Sequence, residues 1–181
     1  MKKSYIWLMS AISVLLIVTV GVTLAYLISS SNTVKNTFTI GNVSINLRET
    51  TGREYKMAPG ITIMKDPTIT VDANSEDCWV FVKIQKSSNF NNFCEFEVAE
   101  GWTSLLQNDG VYYQKVKKSA VNKKFEVIKN NRIFVSDRLT EEDLNALLEN
   151  PTLKFTAYAI QCDGMVSVQD AWRELNSKKE E

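Results

Sequence analysis

Hydrophobic residues in this chain recur mostly at every second position, in short bursts separated by polar turns. Val43, Ile45 and Leu47 alternate with Ser44 and Asn46, the period of a strand with one wet face. Phe38 and Ile40 fall out of that phase across Gly41-Asn42, so a bulge or turn is expected at Gly41. Turn signals at Thr51-Gly52, Pro59-Gly60 and Lys65-Asp66-Pro67 then frame two short strands, one with Ile61 and Ile63, the next with Ile69 and Val71. Cys78, Val80, Val82 and Ile84 share a face whose reverse carries Trp79, Phe81 and Lys83; apolar on both sides at its start, this strand is expected at the centre of a sheet. Further strands are expected around 96–98, 111–116, 125–128 and 133–135, and a strong one over 153–162, with Phe155, Ala157 and Ala159 opposed to Tyr158 and Ile160.

Two stretches change period. Thr140 to Glu149 offers a cap at Thr140 with Asp143 three residues on, and an apolar stripe of Leu144, Leu147 and Leu148. A short helix is expected there, ended by Asn150-Pro151. Val168, Ala171, Trp172 and Leu175 fall at i, i+3, i+4 and i+7 and predict a last amphipathic helix. About eight strands with few helices predict an all-β fold: an antiparallel two-sheet sandwich, jelly-roll-like, with one or two short helices.

The N-terminus obeys neither period. Lys2 and Lys3 precede an uncharged run whose apolar part is 6–28, long enough to span a bilayer as a helix and longer than an ordinary signal-peptide core. Residues 1–28 are therefore expected to be a signal peptide, cleaved after Ala25, or an uncleaved transmembrane anchor; the two lysines set the same orientation either way. Residues 29–36 read as a flexible polar lead-in, 37–177 as the β-sandwich domain and 178–181 as a charged tail. About 150 residues beyond the leader suffice for one compact domain.

Composition narrows the chemistry. Lys plus Arg and Asp plus Glu balance at 21 each, which gives no field for gathering nucleic acid, so no nucleic-acid partner is expected. The absence of histidine removes the commonest general base and metal ligand. The acidic residues Asp66, Asp72, Glu76 and Asp77 lack the spacing of a calcium loop and read as solvated. Trp79, Trp102, Tyr112, Tyr113 and Trp172 sit in strand and helix patterns and read as packing residues. No catalytic, cofactor or metal site is expected. Cys78, Cys94 and Cys162 allow one disulfide, in any of three pairings, or three buried reduced thiols; no CxxC spacing occurs.

Four segments look familiar: the apolar run ending GVTLAYL, the strand NTFTIGNVSINLRE just behind it, KMAPGITIMKDPTITVDANSEDCWVFVKI, and LKFTAYAIQCDG followed by Ala171-Trp172. Together they resemble the exported proteins with a SipW-cognate class signal peptide, which include TasA-type biofilm-matrix fibre subunits and camelysin-like surface proteins of Gram-positive bacteria. The resemblance implies a jelly-roll-like sandwich exported by the Sec route, trimmed by a dedicated signal peptidase, and retained at the cell surface or in the extracellular matrix. Some relatives have been described as metalloproteases, but the chain has no histidine and no HExxH motif to support that activity. The expected role is structural, with a second copy or a related surface subunit as partner. Its expected device is a donor strand, Phe38, Ile40, Val43, Ile45 and Leu47, added to an open sheet edge of a neighbour. The rival expectations are a monomeric binding module tethered through residues 6–28 and, further off, a camelysin-like protease.

Overall fold

The computed structural model describes residues 28–30, 36–52 and 54–177. The 178–181 tail, the Ala25 cleavage position and all of the expected leader except Ile28 lie outside them. Among the described residues no helix is long and apolar enough to cross a membrane.

The chain is mostly β, built of several sheets with a few short helices. A five-stranded sheet runs in the order β2 (Asn36–Ile40), β13 (Leu153–Gln161), β7 (Cys78–Lys86), β10 (Val111–Val116) and β9 (Thr103–Ser104). A three-stranded sheet joins β11 (Lys123–Glu126), β6 (Thr68–Val71) and β3 (Ile45–Arg48), and another joins β5 (Thr62–Met64), β12 (Arg132–Val135) and β8 (Cys94–Glu95). These two run on into each other. The Val127 N–H donates to Pro67 O at 3.0 Å and the Lys65 N–H to Asn131 O at 2.8 Å, carrying the β6–β11 pairing into β5–β12. A fourth, two-stranded sheet pairs β1 (Ile28–Ser30) with β4 (Glu54–Lys56).

The central place expected for 78–84 is where β7 sits, between β13 and β10. Both faces of this sheet are buried, which explains a strand apolar on both sides. On one face Val80, Val82, Phe155, Ala157 and Ala159 join Ile45, Leu47, Ile69 and Val71 of the three-stranded sheet in one apolar cluster. On the other, Phe81, Tyr158 and Ile160 meet Ala171, Trp172 and Leu175 of a helix, α3 (Val168–Ser177), placed as its periodicity predicts. Each large side chain so buried contributes roughly 1.5–3 kcal/mol. Trp172 packs on Phe81 at 5.1 Å and Tyr158 at 5.2 Å between ring centroids, and its indole N–H donates to Asn108 Oδ1 at 3.0 Å.

Three expectations need correction. Among the described residues the strand pairs are antiparallel except one: β2 runs parallel to β13, and after it the chain turns at Gly41 and continues as β3 in a different sheet. The helix expected over 140–149 is only α2 (Glu141–Asn145), following α1 (Phe90–Phe93) in the chain. The Thr140–Asp143 capping box forms, but Leu148 is 100% exposed, so the apolar stripe reduces to buried Leu144 and partly buried Leu147. Finally, the strand expected over 96–98 lies at Cys94–Glu95, and Val98 makes only a single bridge to Ile128.

Candidate functional site

Two features stand out: the N-terminal edge strand and a buried charged cluster just behind it. β2 caps the five-stranded sheet at its β13 edge, with Phe38 facing Tyr158 in register and stacked on it at 5.2 Å. Thr37, Phe38 and Thr39 are exposed and Ile40 is half-buried against the Phe81–Trp172 cluster, while the strand pairs with β13 along its whole length. The expected donor residues are therefore divided. Phe38 and Ile40 belong to the edge strand, whereas Val43, Ile45 and Leu47 are buried in the core beside the other sheet.

The hinge between them is Gly41, at φ +85°, where the Val43 N–H donates to Gly41 O at 3.0 Å. A Cβ on Gly41 would stand 2.8 Å from Gln161 Cβ, and Gln161 Oε1 takes the Asn42 N–H at 3.1 Å. Only glycine fits this conformation and this approach.

The strand alternation continues past its apolar residues into charge. Val43, Ile45 and Leu47 point inward, and Glu49 is next in phase; Ile63 points inward, and Lys65, Pro67, Ile69 and Val71 follow in phase. Glu49 and Lys65 thus face each other inside the protein, their side chains 4% and 1% exposed, joined Lys65 Nζ to Glu49 Oε1. Lys65 Nζ lies 5.0 Å from the Tyr55 ring centre and 5.8 Å from that of Phe155. The Tyr55 hydroxyl donates to Gly52 O at 2.7 Å and lies 3.2 Å from Glu49 Oε1. Burial, together with the nearby Glu49 charge, pushes the Tyr55 phenol up to about 12, against a bond to Thr51 that favours the phenolate. Glu49 Oε2 is buried and has no hydrogen-bond partner among the described residues.

One position along each strand, the pair repeats with outward side chains. Asp66 Oδ1 accepts the Thr50 N–H at 2.8 Å, the Thr51 N–H at 3.0 Å and the Thr51 hydroxyl at 2.8 Å, while the Thr50 hydroxyl binds Oδ2. Partial burial raises the carboxyl's pKa, but these four donors outweigh it and hold Asp66 at about 2. Lys65-Asp66-Pro67, expected as a turn, links β5 to β6 and acts as a clamp, with Lys65 wholly inside. The signal for this pair was present in the alternation: two charged residues of opposite sign each occupy the next inward position of a neighbouring strand.

No family model, curated protein or solved structure matches the chain. The site must therefore be judged on its own chemistry. The other acidic residues are dispersed: Asp72 accepts the Ser44 hydroxyl, Glu76 pairs with Lys118, and Asp77 with Lys117. Among the described residues no three Asp, Glu or Cys side chains gather where a metal could be held. Cys78 and Cys94 are buried, Cys162 is half-buried, and all three are free thiols. Burial pushes Cys78 up to about 12 and Cys94 to about 11, and raises Cys162 as well, so none is poised as a nucleophile. Cys94 Sγ contacts Met57 Sδ at 3.8 Å. Trp79 packs edge-on to Tyr113, Trp102 donates to Glu126 O, and Trp172 covers the sheet, so these tryptophans serve packing.

Proposed function

We propose that this chain is an exported bacterial surface or matrix structural protein whose N-terminal strand serves as its joint to a second copy. In this reading the sheets form a jelly-roll-like sandwich, with the five-stranded sheet facing the joined three-stranded sheets across one core. The leader ends at Ala25 after export, and signal peptidase and the membrane are transient partners.

The observation that carries the reading is β2: a parallel edge strand, exposed at Thr37, Phe38 and Thr39, paired to β13 along its length and followed by the left-handed turn at Gly41. A strand of this kind exchanges cheaply, because a neighbour's identical segment restores every bond that its departure breaks. The resemblance of the leader and the strand behind it to exported matrix proteins supports the same role, and the scattered carboxylates and protonated thiols favour it over catalysis.

Two soluble forms test the proposal, one starting at Tyr26 and one at Gly41, compared by sedimentation over a range of concentrations and by electron microscopy. The first is expected to assemble with rising concentration; the second is expected to stay unassembled and to bind a synthetic peptide of residues 36–40. Equal assembly of both would refute strand exchange. A concentration-independent monomer of the longer form would favour a tethered binding module.

A further inference from the structure

We propose that Lys65 and Glu49 condense into an intramolecular amide, a covalent staple between the end of β3 and the link from β5 to β6. Three features converge. The two groups are desolvated and already joined Nζ to Oε1, so no chain entropy remains to be lost on the way to reaction. The Asp66 clamp on Thr50 and Thr51 fixes the neighbouring residue of each strand and so holds the two backbones in this register. Glu49 Oε2, buried and without a hydrogen-bond partner among the described residues, is costly as a carboxylate oxygen and far less so as the oxygen of a neutral amide.

The step balances without any outside reagent. A proton passes from Nζ to Oε1 along their hydrogen bond, and the freed lone pair attacks Glu49 Cδ. The Nζ–Cδ bond forms and the Cδ–Oε1 bond breaks. Two of the three ammonium protons depart with that oxygen as water, the third stays on the amide nitrogen, and nothing is oxidised or reduced. The Tyr55 hydroxyl, 3.2 Å from Oε1, is the group placed to donate to the oxygen as it leaves. A cavity of about 30 Å³ beside Tyr55 and Lys65, walled by Met57, Ile63, Phe90 and Leu153, has room for the released water. The staple needs nothing of export or assembly, so it stands or falls separately from the strand-exchange reading.

The test is a tryptic digest of the full chain, held folded at neutral pH and then denatured. Cleavage after Arg48, Arg53, Lys56 and Lys83 leaves residues 49–53 joined to residues 57–83, uncut at Lys65 and lighter than their sum by one water. Fragmentation placing the join between Glu49 and Lys65 is the expected result. Free 49–53 together with cleavage after Lys65 in the wild-type digest would overturn the proposal, and this holds whether or not any variant folds. Tyr55→Phe, which keeps the ring over Lys65 but lacks the hydroxyl, is expected to join at least tenfold more slowly after synthesis. Joining at the wild-type rate would remove Tyr55 from the reaction. Lys65→Arg is expected to give no joined peptide, and a joined peptide in that variant would refute the assignment of the bond.

Discussion

Replacing Asp66 by Asn should cost stability at neutral pH and almost none in strong acid. In the folded chain the Asp66 carboxyl is held at about 2, against 3.8 for the free side chain, because the Thr50 and Thr51 donors more than offset its partial burial. A folded-state value below the unfolded one means that the carboxylate stabilises the fold above the unfolded pKa, and that this stability is lost as pH falls through the folded one. The gap between 3.8 and about 2, at about 1.4 kcal/mol per pH unit, corresponds to roughly 2.5 kcal/mol. Solvent reaches part of the carboxylate and screens it, so about 1–2 kcal/mol is the expected contribution. The asparagine amide would still offer one neutral acceptor, which places the substitution toward the lower half of that range. Urea unfolding of wild type and Asp66→Asn at a series of pH values measures this directly. The difference should be constant above about pH 5, shrink below about pH 4, fall to a small remainder at about pH 2, and vanish near pH 1. A difference independent of pH would show that the Thr50 and Thr51 donors do not stabilise the charged form, and the clamp would lose its electrostatic basis.

Other expectations follow from single contacts. Gly110→Ala should destabilise by about 2–4 kcal/mol in thermal or urea melts, because φ there is +73° and the new Cβ would stand 2.4 Å from Ile84 O, whose own N–H donates to Gly110 O at 2.7 Å. Trp172→Ala should cost about 3–5 kcal/mol by uncovering Phe81 and Tyr158, whereas Trp172→Phe should lose chiefly the bond to Asn108, about 1 kcal/mol. Iodoacetamide at neutral pH should label Cys162 first in the folded protein and reach Cys78 and Cys94 only on unfolding, followed by peptide mapping; early labelling of Cys78 would contradict its burial.

Where one periodicity ran long enough, the chain could be read directly. β7 and β13 are nine-residue strands apolar on both faces over most of their length, and α3 repeats its apolar face over two turns, so tertiary packing merely seats what local pattern already dictates. Short elements were displaced because their ends depend on partners. β8 stops at Glu95 since the backbone then turns to bond Val127 and Lys129 one residue to either side of Val98, and no local signal marks that change of partner. Leu148 looked like the third member of a helical stripe. The helix ends at Asn145, so nothing brings it to the core.

The donor segment and the charged pair teach the same lesson from opposite sides. Phe38, Ile40, Val43, Ile45 and Leu47 form one expected donor segment because a polar lead-in runs straight into a strong strand, yet the phase break at Gly41 marks a change of sheet, and only the first two lie on an edge strand. Glu49 carries a charge and Lys65 stands in a turn signal, yet both keep phase with the apolar residues before them and are carried inside by register. In a half-buried strand, phase decides which side a residue faces, and residue type decides only what that placement costs. A lysine placed inward by phase must find a buried acid in a neighbouring strand or destabilise the fold by several kcal/mol. The β3–β6 register, with Arg48 opposite Thr68, brings Glu49 alongside the Lys65-Asp66 step, so Lys65 finds its acid and Asp66 its threonines. That double coincidence is what makes this corner of the fold both rigid and chemically poised.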